Sequence, residues 1–219
     1  MCVPRTRSWL EPLRRTLAKV YNPTTRLPVP WLLSGDAAMA FQGVSADPDV
    51  IEFRAISPVA VAYFAQFMRP FEAPITKATV IYGRGSNAAP SESWRSNPHQ
   101  RIASWVGNGR ACWLGRWSVE GTIVQVLYAQ GVRSDPISLA VGAPVRRVPF
   151  EGMQVPVVPL EFLLADSALR SDNRLTGRIL HALRVYGHNA SDLQAALDVL
   201  PSNKASRLQR LLEFSLVAG

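Results

Sequence analysis

Apolar positions along the chain switch between helical and strand spacing, and the switches predict the order of elements. Residues 8–21 place Trp9, Leu13, Leu17 and Val20 on one helical face, with Ser8 and Glu11 spaced as a capping box and Pro12 in the opening turn, where proline costs least. Residues 22–30 contain Pro23, Pro28 and Pro30 and predict an extended linker. The central stretch, 31–53, reads as a short apolar strand ending at Leu33, a turn at Ser34-Gly35, a small-residue helix through Phe41, a turn at Gly43 and a strand over 50–53. Ser57-Pro58 then starts a buried helix over 59–68, and 76–82 looks like a strand. Residues 83–100, rich in Gly, Ser, Asn and Pro, predict a mobile insertion. Strands over 101–106, 111–119 and 122–129 follow, the last two joined by a Glu120-Gly121 hairpin.

Beyond 160 the spacing is helical throughout, over 161–170, 173–186, 191–199 and 203–217, with Ser191 and Gln194 as another capping box. In the second of these segments Leu175, Ile179, Ala182 and Tyr186 form an apolar stripe, and Arg170, Arg174, Arg178 and His181 run along an adjacent face. Such an arginine stripe can track a phosphate backbone, although Glu161, Asp166 and Asp172 nearby also suit solvated ion pairs. The pattern divides the chain into an N-terminal helix and linker (1–30), an α/β domain (31–160) and a helical C-terminal region (161–219).

Composition narrows the classes. Of the 219 residues 47% are hydrophobic and six are tryptophan, which supports a packed core rather than disorder. No apolar run approaches the length of a membrane span and residues 1–8 lack a signal peptide's apolar middle, so a cytoplasmic protein with no membrane partner is expected. Cys2 and Cys112 are too few for a zinc site, and His99, His181 and His188 are scattered. A formal charge of +8 and a pI near 10.2 point to an anionic partner such as RNA or an acidic protein.

Candidate chemistry centres on the first strand–glycine–helix passage. The first turn of a helix has unpaired N–H donors and a positive dipole end, so Ser34, Gly35 and Asp36 are nucleotide-binding candidates. The same glycine also serves any α/β unit in which a strand turns into a helix. Residue order adds to this. Trp31, Leu33, Ser34, Gly35, Ala40, Gly43, Val44 and Pro48 stand where the nucleotidyltransferase superfamily has W-x-L-[ST]-G-[GS]-x-x-x-A-x-x-G-V, a proline-containing turn and D-x-D at a strand end. Glu120-Gly121 followed by Val124-Gln125-Val126-Leu127 resembles the hairpin carrying that family's third carboxylate. Gly152, Val155, Pro156, Val157, Pro159, Leu160 and Glu161 resemble its later strand that runs into a helix start. The resemblance implies an α/β (α+β type) fold, a mixed sheet with flanking helices, and Mg²⁺ held between three carboxylates to bind a nucleoside triphosphate.

The ligand positions themselves have changed. In register with the glycines the family's three carboxylates fall on Val50, Glu52 and Gln125, and only Glu52 is acidic. Mg²⁺ demands oxygen ligands in octahedral geometry, which a valine cannot supply. Asp36 brings negative charge where triphosphate oxygens would approach. The expected function is therefore a degenerate, non-catalytic module that binds a protein partner or RNA and needs no cofactor. The alternative is an active nucleotidyltransferase with a Mg²⁺ site rebuilt from Asp36, Asp49 and Glu52. Either way, Glu52 and Gln125 are expected on neighbouring strands facing one cleft.

Overall fold

The computed structural model describes residues 9–21, 31–71, 94–96, 102–107, 110–130 and 145–213. The expected linker over 22–30, the strand over 76–82 and most of the 83–100 insertion lie outside these residues.

Helix α1 (Leu10–Val20) buries Leu13, Leu17 and Val20, as its spacing requires. Ser8, the first residue of its expected capping box, lies outside the described residues. The Glu11 carboxylate accepts from Arg14 and Arg15. Strand β1 (Trp31–Ser34) leads directly into α2 (Gly35–Phe41), and β2 (Val50–Ala55) returns antiparallel to β1. Ser57 caps α3 (Pro58–Phe67) by accepting from the Ala60 N–H at 3.0 Å, with Pro58 at the first helical position.

Strands β3 (Ala103–Gly107), β4 (Arg110–Val119) and β5 (Thr122–Ala129) form an antiparallel meander. Glu120 and Gly121 both have positive φ, 49° and 81°, which matches the right-handed twist of the strands they join. A second Glu-Gly turn, at Glu151 and Gly152 with φ 46° and 79°, joins β6 (Arg146–Phe150) to β7 (Met153–Val157). The sequence pattern predicts only a single strand running into a helix here.

Among the described residues the sheet has seven strands in the order β3-β4-β5-β2-β1-β7-β6, and it is mixed: β2 runs parallel to β5 and β1 parallel to β7. Its centre is therefore the β1–β2 pair. On one face Trp31, Phe53, Phe64 and Trp117 stack edge-to-face or tilted, with ring centroids 5.0 to 6.4 Å apart, and bind α3 to the sheet. Strand residues alternate faces, so Ser34, Glu52 and Arg54 point the other way.

The C-terminal part comprises α4 (Leu160–Leu169), α5 (Asn173–Tyr186), α6 (Ala190–Leu197) and α7 (Ser202–Glu213). Three details differ from the sequence reading. The cap of α6 is Asn189, whose Oδ1 accepts from the N–H groups of Ser191 and Asp192, and Gln194 donates to Asp198 instead of closing a capping box. The buried face of α5 is Thr176, Ile179, Leu180, Ala182 and Leu183, while Tyr186 is 66% exposed. Tyr186 lies against Gly43, where a Cβ would come within 2.6 Å of its ring. Finally, Ser171, at φ 61°, breaks the chain between α4 and α5, so Arg170 is not on the helix that carries Arg174 and Arg178. No helix among the described residues is long and apolar enough to cross a membrane.

Candidate functional site

Strand register places four polar side chains in one row across the sheet. Ser34 on β1 lies opposite Glu52 on β2, Glu52 opposite Gln125 on β5, and Gln125 opposite Arg116 on β4. Paired positions share a face, so the row forms the floor of one cleft. Glu52 and Gln125 thus stand on neighbouring strands facing one cleft, as the resemblance implies, and the structure also brings them into contact.

The contacts assign each group a role. Gln125 Nε2 donates to Glu52 Oε2 at 2.8 Å, and Arg116 donates to Gln125 Oε1 through Nε and an Nη at 3.3 and 3.1 Å. The arginine fixes the amide so that its N–H₂ end faces Glu52. Arg54, two residues along β2 on the same face, binds Glu52 Oε1 at 2.9 Å. Arg54 is 5% exposed, and its Nε has no hydrogen-bond partner among the described residues. Burial pushes the Glu52 carboxyl up, but Arg54, then Arg170, and hydrogen bonds from Gln125 and Ser34 outweigh it and leave the group below the usual carboxylate range. Glu52 is therefore a paired anion.

A second ion pair stands beside the first. On α4 and its C-cap, Asp166 pairs with Arg170. Burial raises the Asp166 carboxyl, against the pull of Arg170 and Arg54. Glu52, Arg54, Asp166 and Arg170 thus form an alternating set of charges at the cleft. Sequence reasoning missed Arg54 and Arg116, and it named Asp166 only as an ion-pair partner for the arginine stripe, a pairing that the structure makes with Arg170 at the cleft. The signal for Arg54 was present as an arginine two residues after Glu52 in an otherwise apolar strand, on the same face by strand period.

The remaining candidates lie around this row. Gly35 opens α2 at φ 58°, and a Cβ there would sit 3.6 Å from Glu52 Cβ, so the glycine sets how closely α2 begins over the cleft. Asp36 is half-buried in the first turn of α2. Burial raises its carboxyl, Arg178 opposes the rise, and Asp49, Glu52 and Asp172 add to it. Asp36, Asp47, Asp172, Arg174 and Arg178 line an open cavity of about 600 Å³. Three carboxylates there face two guanidiniums, so Arg174 and Arg178 are balanced within the cavity wall. The three arginines of the expected stripe consequently separate, with Arg170 at the cleft and Arg174 and Arg178 at this cavity. Asp49 is exposed just before β2, and Val50 faces the cleft side with an apolar side chain.

These residues do not fit the magnesium ion that the resemblance implies. Both Glu52 oxygens are engaged by protein donors, Gln125 turns its amide N–H₂ toward Glu52, Val50 offers no ligand, and a cation would meet the Arg54 guanidinium. Among the described residues no three His, Cys, Asp or Glu side chains group as a metal-ligand set, so Asp36, Asp49 and Glu52 are not brought together as one.

No protein-family model matches the chain, and no curated protein matches it in sequence. Among solved structures, the chain is similar to a crystal structure described as a "putative nucleotidyltransferase" from Thermotoga maritima. The two share 15% sequence identity over 81% of this chain and 91% of that one, with a TM-score of 0.46.

Proposed function

We propose that this protein is a non-catalytic member of the nucleotidyltransferase superfamily, a binding module whose former metal cleft is closed by its own ion pairs. The observation that carries this reading is that both oxygens of Glu52, the one acidic side chain left at the family's ligand positions, are held by Arg54 and Gln125. A guanidinium in van der Waals reach of a carboxylate supplies a fixed positive charge there, and recruiting a divalent ion would require breaking a buried pair.

A protein is the partner best supported. Val59, Tyr63 and Phe67 recur at helical spacing on the outer side of α3, with Ile56 just before the helix, and the four are 37–76% exposed, a run of apolar surface that a soluble monomer rarely leaves uncovered. Arg69 lies exposed just past its end, which suits a partner with an apolar surface rimmed by carboxylates. RNA is favoured by the overall charge, yet the carboxylates facing Arg174 and Arg178 weaken the case for a phosphate backbone at that place.

Calorimetry with ATP, GTP, CTP and UTP in the presence of Mg²⁺ or Mn²⁺ tests the non-catalytic reading, together with transfer of radiolabel to protein and RNA acceptors. No metal-dependent binding and no transfer are expected. Tight binding or transfer by the unmodified chain, abolished by Glu52→Ala, would overturn it in favour of an active enzyme.

A further inference from the structure

A second cavity, of about 310 Å³, opens between α4, α5 and α7 and shares no lining residue with the cleft or with the cavity around Asp36. Arg184, Lys204 and Arg207 line it, and among the described residues no carboxylate does. Leu180, Leu208 and Leu211 supply an apolar wall. The cations are anchored rather than loose. Lys204 Nζ donates to the carbonyl oxygens of Ala168 and Leu169 at 2.8 and 2.7 Å, at the negative end of α4. Arg207 donates from an Nη to Asn173 Oδ1 at 3.3 Å, and Arg184 from an Nη to the Leu211 carbonyl at 3.0 Å. Each contact employs one nitrogen of a guanidinium that carries five N–H donors in a planar fork. The anchors are neutral oxygens, so the positive charge of both arginines meets no opposing charge among the described residues of the cavity wall.

From this arrangement we infer that the cavity between α4, α5 and α7 is a binding site for a small phosphate monoester, with its phosphate held by Arg184 and Arg207 and its organic part against Leu180 and Leu208. Two forked guanidiniums suit a compact dianion better than a singly charged carboxylate. The volume lies at the small end of ligand pockets, which excludes a folded macromolecule and fits a compact ester. Gly177 keeps the wall open on α5: a Cβ built there meets no described atom within 4 Å.

The test is calorimetry on the full chain with phenyl phosphate, inorganic phosphate and phenol at constant ionic strength. Saturable binding of phenyl phosphate is expected, at least about tenfold tighter than inorganic phosphate because only the ester reaches the apolar wall, with no binding of phenol. Arg207→Gln should weaken it at least about tenfold. Gly177→Glu adds a carboxylate on the α5 wall of the cavity, where a Cβ meets no described atom within 4 Å, and should abolish binding while leaving the melting temperature unchanged or higher, so that lost folding is not mistaken for a lost site. Absence of saturation at millimolar phenyl phosphate, equal affinity for inorganic phosphate, or binding that survives Gly177→Glu would each overturn the assignment.

Discussion

Arg54 and Glu52, two residues apart on one face of β2, close an ion pair of 2.9 Å in which the guanidinium is almost entirely withdrawn from water. A carboxylate kept for metal chemistry is usually a stability liability, because it is poised for a ligand rather than satisfied by the protein. Here the opposite holds, and the pair should behave as structure. Glu52→Ala leaves Arg54 buried without its ion-pair partner and should cost about 3–5 kcal/mol in urea unfolding. Glu52→Gln with Arg54→Met should cost less than the sum of the two single changes, since both charges leave together. A Glu52→Ala variant as stable as the parent would contradict the structural role.

Acid sensitivity follows from the same group. The Glu52 carboxyl lies below its ordinary value in the folded protein, so its contribution is fully present above the unfolded carboxylate range and is lost as pH falls through the folded value. Asp36 and Asp166 lie above their ordinary values and act with the opposite sign: their ionisation costs stability as pH rises through their raised values. Denaturant midpoints measured from pH 7 down to about 3 should fall in the acid range, and Glu52→Gln should flatten that fall. An unchanged slope in this variant would mean that other carboxylates set the acid limit.

Much of this site was legible in the sequence through the resemblance: aligned on the family's glycine and hairpin motifs, Glu52 and Gln125 are implied on neighbouring strands facing one cleft, and the register between β2 and β5 bears that out. What could not be read is which polar groups meet across the sheet. Arg116 reaches Gln125 only because β4 pairs with β5 in a register fixed by the Glu120-Gly121 turn, and Asp166 reaches the cleft only through the packing of α4. The β6–β7 hairpin is hidden in the sequence although Glu151-Gly152 repeats Glu120-Gly121, because Pro149 and Pro156 weaken the strand signal on either side. The arginine stripe fails as a continuous feature because a left-handed Ser171 separates Arg170 from Arg174.

The two partner classes separate by salt. Filter binding of RNA should be weak and lose little of its salt dependence when Arg170, Arg174 and Arg178 are all replaced by glutamine, since Asp166 already pairs with Arg170 and three carboxylates face the other two. A protein partner should instead respond to α3. A photo-crosslinker at Tyr63 should capture one defined protein, and Val59→Glu should remove the product without lowering the melting temperature, because that side chain is 76% exposed. Steep salt dependence that flattens in the triple arginine variant would restore RNA as the partner.

The proposed loss of metal binding can be tested by rebuilding the ligand set. Val50→Asp, Gln125→Asp and Asp36→Ser return acidic side chains to the family's ligand positions and remove negative charge from the first turn of α2. Those three changes alone should not recover binding of a nucleoside triphosphate, because Arg54 would still hold Glu52 Oε1 and oppose a divalent ion. Arg116, which now donates to the Gln125 side chain, would be drawn to the carboxylate that replaces that amide, adding a second guanidinium to compete with metal. Adding Arg54→Ser to the three should free Glu52, so that Mg²⁺-dependent binding of ATP appears only in the fourfold variant. Calorimetry with and without Mg²⁺ on the threefold and fourfold variants makes the comparison. If the threefold variant binds as well as the fourfold one, Arg54 is not what closes the cleft, and the proposed block on metal binding fails even though the protein itself brings no ligand set together among its described residues.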